Sequence, residues 1–282
     1  MKKLSAIVLL FAFLSQAQTQ RFVYEYQFSP DSNKKDSVVT ELMALDIKGS
    51  TSRYQSLKKI KSDSMIATVQ KNLIAGLPVN FSNIVKSPVK YEILKENNAA
   101  SIYLIDQIAK DIYRVEENEK MKWQIFQEKE KIGTYTAQKA TTTWGGRNWT
   151  AWFSTDLPFH DGPYKFSGLP GLIVKIEDES KSHKIILIGT ENIALENEAA
   201  VPELPGRRRI DVNEEQYKKI FKNLIANPSQ SLNGSSGNII STNKSDGDNK
   251  QVSSAEMGKI IKQNAEREVK NNSNRIEPTL FE

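Results

Sequence analysis

The 282-residue chain contains no cysteine. Disulfides, thiolate nucleophiles and thiolate metal ligands are therefore excluded. Histidine is almost absent, with only His160 and His183. No Gly-x-Ser-x-Gly elbow occurs, and Gly234-Ser235-Ser236-Gly237 lacks the lysine that follows a phosphate-cradling loop. Apolar runs long enough to cross a bilayer are missing, so no transmembrane segment is expected in the mature chain. Neither sign of charge dominates: 39 Lys and Arg are interleaved with 34 Asp and Glu, for a net charge of +5. Arg207-Arg208-Arg209 is the one dense basic cluster and reads as a solvated loop, so no nucleic-acid partner is expected.

What is present begins with Met1-Lys2-Lys3, an apolar run from Leu4 to Leu14, and Ser15-Gln16-Ala17. A positive start, an apolar stretch of this length and small residues before a cut define a secretory signal peptide over 1–17. Cleavage after Ala17 leaves Gln18 first, with no cysteine there to carry lipid. The expected location is the periplasm or cell envelope. The rest divides by composition into a single β-rich domain over 18–228, a Ser/Asn/Gly/Asp-rich linker over 229–252, and a C-terminal helix and tail over 253–282.

Period-two alternation runs through the β-rich part. Phe22, Tyr24, Tyr26 and Phe28 share one face of a first strand, and Val39, Met43, Leu45 and Ile47 one face of a second. Ser50-Thr51-Ser52 is read as the cap of a helix carrying Tyr54, Leu57, Met65, Val69 and Leu73. Further strands are expected over 89–94, 102–105, 112–115, 123–126, 134–144, 147–154, 172–178 and 183–193, with turn chemistry between them. Asp211 with Glu214 reads as a capping box before a helix whose stripe is Tyr217, Ile220, Phe221, Leu224 and Ile225. Ser253 with Glu256 reads as the cap of a last helix. The fold class is α+β, mainly β: a curved antiparallel sheet or half-barrel of about ten strands covered by a few amphipathic helices.

Gly162-Pro163-Tyr164-Lys165-Phe166-Ser167-Gly168-Leu169-Pro170-Gly171 concentrates three glycines and two prolines before a strand. Pro170 presets one central turn position and Gly171 suits the positive φ of the next, so Leu169 to Leu172 is a type II turn candidate. Gly162, Pro163, Gly168, Leu169, Pro170 and Gly171 are the structural motif. This block through Asp178 resembles the GLPGLI family of exported Bacteroidota proteins, as do Gly133 to Ala140, Gly146 to Trp152 and the tail from Asn271 to Glu277. Ala137 stands where that family usually has a cysteine, and Gly133-Thr134-Tyr135 has a wider spacing than usual. The resemblance implies export and a β-rich domain, and carries over no catalytic residue.

Gly145-Gly146 suits a two-residue hairpin loop. It pairs Trp144 with Arg147, Thr142 with Trp149 and Gln138 with Phe153 on one face. The other face pairs Thr143 with Asn148, Thr141 with Thr150 and Lys139 with Trp152. Both Trp144/Arg147 and Lys139/Trp152 then lie within cation–π reach. Lys139, Arg147, Trp149 and Trp152 are the candidate ligand-binding residues, for an amphipathic or anionic ligand. The competing meaning is core aromatics with snorkelling cations. Asp156, His160 and Asp161 are metal-capable atoms in a loop but match no metal motif, so no metal and no cofactor are expected. Asp36-Ser37-Val38 and Asp63-Ser64-Met65 resemble the Asp-Ser-apolar acceptors of Bacteroidota O-glycosylation. The functional expectation is a non-enzymatic binding or accessory protein whose partner is such a ligand or an outer-membrane or envelope protein. The alternative is a hydrolase of envelope polymers using paired carboxylates.

If the leader is cut as expected, intact-mass measurement of protein recovered from the envelope gives a chain starting at Gln18. A recovered N-terminal peptide containing Met1 or Lys2 would contradict it.

Overall fold

In a computed structural model the described residues are 19–193 except 35, 81–84, 109–110 and 118, then 208–226, the single residues 259, 263 and 266, and 273–281. The leader, the 229–252 linker and the helix cap at Ser253/Glu256 lie outside them. The elements are β1 (Thr19–Phe28), β2 (Val39–Lys48), β3 (Thr51–Ser56), α1 (Leu57–Ile74), β4 (Glu92–Glu96), β5 (Ser101–Ile108), β6 (Asp111–Glu117), β7 (Gln124–Ile132), β8 (Tyr135–Trp144), β9 (Arg147–Ser154), β10 (Leu172–Asp178), β11 (His183–Ile193), β12 (Arg209–Val212) and α2 (Glu214–Ala226). They build one open sheet of 12 strands, ordered β12-β6-β5-β4-β3-β2-β1-β11-β10-β9-β8-β7. The sheet is mainly β as expected, with more strands than ten.

The order reads as two local meanders, β1 to β6 and β7 to β11, joined along one seam where β1 pairs antiparallel with β11. Cross-strand neighbours share a face, and the register aligns the alternating apolar residues into rows. Phe22, Leu45, Tyr54, Ile93, Leu104 and Val115 stand side by side on successive strands, and all are buried. Two residues further along each strand lies a second row, Ile47, Ser52, Lys95, Ile102 and Glu117. That row is polar at three positions, on the same packed face.

Several sequence expectations are corrected. Thr51–Ser56 is a strand, because Ser52, Tyr54 and Ser56 alternate inward and pair with β2. Ser56 rather than Ser50-Thr51-Ser52 caps α1, which buries none of its residues and so does not cover the sheet. Asn213, not Asp211, caps α2: its side chain accepts from Gln216 N at 2.9 Å, and Gln216 Oε1 accepts from Asn213 N at 3.0 Å. Arg209 belongs to β12, which pairs parallel with β6, so the arginine cluster is not wholly a loop. In β10 a bulge between Ile173 and Lys175 shifts the phase. Ile173 faces Phe153 and Lys175 faces Trp152, so the strand expected over 172–178 does not alternate strictly, and Leu172 and Ile176 lie on opposite faces.

The type II turn does not form either. Gly171 N donates to Leu169 O at 2.8 Å, while Leu172 N reaches back to Leu157 O at 3.0 Å. Glycine is required at 171 for another reason. A Cβ there would lie 2.3 Å from Ser154 O, a backbone atom at the end of β9. The collision involves the Cβ itself, so Gly171→Ala is already expected to cost on the order of 2 kcal/mol or more, and Gly171→Val no less. Lys175→Ala, whose side chain is 16% exposed and among the described residues pairs with Glu177 at 3.6 Å, should cost less, about 1 kcal/mol. Urea midpoints under one buffer check all three. A wild-type midpoint for Gly171→Ala would mean the strand ends are not in this contact.

Candidate functional site

The segment between β9 and β10, residues 155–171, folds back onto the packed face and is held there by the polar row. Lys95 is about 1% exposed, and its three ammonium protons are all used. They go to Asp161 Oδ1 at 2.5 Å, Gly162 O at 2.6 Å and Phe166 O at 3.1 Å. Ser52 Oγ donates to Asp161 Oδ2 at 2.5 Å, and Gly162 N donates to Oδ1 at 2.7 Å. Burial pulls the Lys95 ammonium below its ordinary range, against the upward pull of Asp161. Gly162 has no room for a side chain, since a Cβ would lie 2.9 Å from Ile173 Cβ. Tyr164, Phe166 and Leu169 of this segment are buried, with Tyr164 and Phe166 against Trp144 and Phe166 also against Trp149. Tyr164 adopts φ +52°, a left-handed conformation that costs a non-glycine residue on the order of 1 kcal/mol. Asp161 thus turns inward while Asp156 and His160 stay exposed, so the three do not gather as a ligand set.

A second ionic group joins four parts of the chain. Lys165 Nζ lies 2.8 Å from Glu117 Oε2 at the end of β6 and 2.7 Å from Glu277 Oε2 in the C-terminal segment. Tyr164 OH donates to Glu277 Oε2 at 2.9 Å. Lys165 Nζ also sits 5.4 Å from the Trp144 ring centroid. Glu214, in the first turn of α2, faces the same group. Burial first, then the nearby Glu117, pushes its carboxyl up to about 6. Glu277 is also raised, by burial. Three carboxylates around one lysine and one tyrosine explain both shifts.

Arg147 makes the third. Its guanidinium donates to Asp178 Oδ2 at 2.9 Å, Ser182 Oγ at 3.2 Å, Asn274 Oδ1 at 2.6 Å and Arg275 O at 2.6 Å. The hairpin register is the one expected, from Trp144↔Arg147 to Gln138↔Phe153. Within it, Trp144 meets Lys165 instead of stacking on Arg147. The four candidate ligand-binding residues are split between the two faces of the sheet. Arg147 and Trp149 face inward, where Trp149 is buried and donates from Nε1 to Trp144 O at 3.1 Å. Lys139 and Trp152 face outward together, with Lys139 Nζ 5.9 Å from the rings of both Trp152 and Phe126 and 2.8 Å from Glu128. Trp152 is itself only about 5% exposed, so solvent reaches this group through the partly exposed Lys139 and Phe126.

Sequence reasoning missed Lys95, Lys165 and Glu277. The available signal was phase: Lys95 sits two residues from Ile93 on the buried face, and Lys165 lies between two aromatic residues.

A family model described as "Protein of unknown function (Porph_ging)" matches residues 144–175, from the hairpin turn through the 155–171 segment into β10. No curated protein matches the chain. Among solved structures, two of PNGF-II are similar in fold. One has a TM-score of 0.51 at 15% identity, covering 72% of this chain and 33% of that one. The other has a TM-score of 0.50 at 16% identity, covering 72% and 32%. The chain therefore spans about a third of the length of those structures.

The Glu214 shift sets a pH dependence. A carboxyl raised in the folded state above its unfolded value contributes stability that is full below about 4.5 and is lost as pH rises through about 6. Because the group is half exposed, the loss is on the order of 1 kcal/mol. Glu214→Gln keeps the hydrogen-bonding shape without the titration. Its stability relative to wild type should therefore grow between pH 4.5 and 7, as read from urea midpoints. A constant difference across that range would refute the assignment.

Proposed function

We propose that the protein is an exported, GLPGLI-like binding or accessory protein of the cell envelope, without catalytic activity of its own. The observation that supports this reading is the state of its convergent carboxylates. Glu117 and Glu277 meet on the packed face, as a hydrolytic pair would, but their side chains are only 3% and 4% exposed. Lys165 binds an oxygen of each, and Tyr164 a further lone pair of Glu277. A general acid and base need a substrate atom between them and room for water; here a structural ammonium occupies that position. Asp161 and Asp178 are tied in the same way by Lys95 and Arg147.

The ligand-contacting surface in this reading is the partly exposed pair Lys139 and Phe126, backed by the buried Trp152. Its chemistry, a cation beside two aromatic faces, suits an amphipathic or anionic ligand. Binding proteins also keep such groups on a rigid element, and β8 and β9 are ladder-paired over seven registered positions.

The test is affinity capture from envelope fractions with ligand and partner identification by mass spectrometry. Wild-type protein should retain material that Lys139→Ala loses, at a near-wild-type melting temperature. Release of sugar ends from envelope polymers by wild type, abolished in Glu117→Gln at equal stability, would replace this reading with the hydrolytic one.

A further inference from the structure

β7 is one edge of the sheet: among the described residues it pairs with β8 on one side and with no strand on the other. None of its nine residues is buried. An ordered strand costs backbone entropy on the order of 1 kcal/mol per residue, and here only the partly buried Phe126 and Ile132 offset it. The strand contributes a ladder and an open row of backbone groups. Edges of this kind are ready templates for another strand unless they are guarded.

The guard can be read from the charges. Gly133-Thr134 joins β7 to β8, with Ile132 opposite Tyr135, Lys131 opposite Thr136, Glu130 opposite Ala137 and Lys129 opposite Gln138. In a two-residue hairpin the pair flanking the turn exchanges both backbone hydrogen bonds, and pairs alternate from there. The N–H and C=O of Lys129 and Lys131 thus point to the open edge. Side chains alternate as well: Glu128 and Glu130 lie on the outer face with Lys139, and Lys129 and Lys131 on the opposite face. Glu128 is shared with Lys139, whereas Lys129, Glu130 and Lys131 make no ion pair among the described residues.

A second copy of this chain is a poor occupant. Two antiparallel copies of one edge are related by a two-fold axis perpendicular to the sheet, which brings the same face of both copies to the same side. Even-numbered residues then meet even-numbered ones, so glutamates oppose glutamates and lysines oppose lysines in every register centred on this stretch. Like charges directly opposite are destabilising. A free strand of another protein has no such restriction.

We propose that the β7 edge takes up, by strand addition, an extended segment of a partner protein with basic residues on one face and acidic residues on the other. Basic side chains then oppose Glu128 and Glu130, and acidic ones oppose Lys129 and Lys131. The same charges exclude self-pairing. The proposal deepens the binding reading above and rests on it by naming a polypeptide partner next to the Lys139/Phe126 surface.

The probe is a capped, fluorescent peptide Thr-Val-Lys-Glu-Lys-Glu-Val-Thr, compared at low salt with Thr-Val-Lys-Lys-Glu-Glu-Val-Thr, which has the same composition but mixes charges on each face. The alternating peptide should bind the full-length chain about tenfold more tightly, a difference of about 1.4 kcal/mol, and lose affinity as salt rises. Lys131→Pro removes an edge-facing donor without breaking the β7–β8 ladder. It should weaken peptide binding about tenfold at a near-wild-type melting temperature. In gel filtration wild type should run as a monomer, and a variant with Glu128, Lys129, Glu130 and Lys131 all changed to Thr should self-associate. Equal binding of the two peptides, no binding, or full binding by folded Lys131→Pro would overturn the proposal. Retention of envelope material that depends on Lys139 would in that case survive, and only the strand-addition site would fall.

Discussion

A lysine ammonium removed from water must have its charge and all three protons satisfied, and Lys95 sets that condition at the centre of this sheet. A buried, uncompensated charge costs several kcal/mol. Asp161 supplies the opposite charge, and the carbonyls of Gly162 and Phe166 take the remaining protons. These acceptors all lie in the segment between β9 and β10, so satisfying Lys95 dictates where that segment lies. Its position in turn buries Tyr164, Phe166 and Leu169 over the sheet. Removing the carboxylate alone would strand the lysine, and for that reason the segment behaves as part of the core although it lacks regular structure.

The same logic secures the C-terminal segment. Arg147 at the hairpin turn holds Asn274 and Arg275 O, and Lys165 holds Glu277. The turn glycines are closed off by this segment: a Cβ on Gly145 would lie 2.9 Å from Glu277 Cγ, and one on Gly146 would lie 3.1 Å from Thr279 Cγ2. Arg275 then covers the rings of Phe221 and Phe281 at 4.6 and 4.3 Å, which links the segment to α2. Three cations therefore tie four stretches far apart in sequence onto one face.

Local chemistry was legible and tertiary chemistry was not. The β8–β9 register followed from Gly145-Gly146 and a strict period of two, both contained within a few residues. β1, β9 and β11 were legible for the same reason. β12 was hidden because its four residues acquire strand character only by parallel pairing with β6, nearly a hundred residues earlier. The need for glycine at 171 was visible but its cause was not, since Ser154 O approaches from another strand. The ionic groups were missed because a lysine in a strand normally signals the solvated face, and only the phase of Lys95 with Ile93 argued otherwise.

The seam between β1 and β11 has a kinetic consequence. Each meander forms from neighbours close in sequence, whereas the seam closes a loop from Phe28 to His183 at its shortest, so its contacts form late and slowly. During synthesis β1 emerges first and pairs with β2, but its other side has no partner until about residue 193 has been made. Over that interval the aromatic strand Phe22 to Phe28 is an open template for other nascent chains. The most vulnerable stretch of the molecule is thus the one that ends up at the middle of its finished sheet.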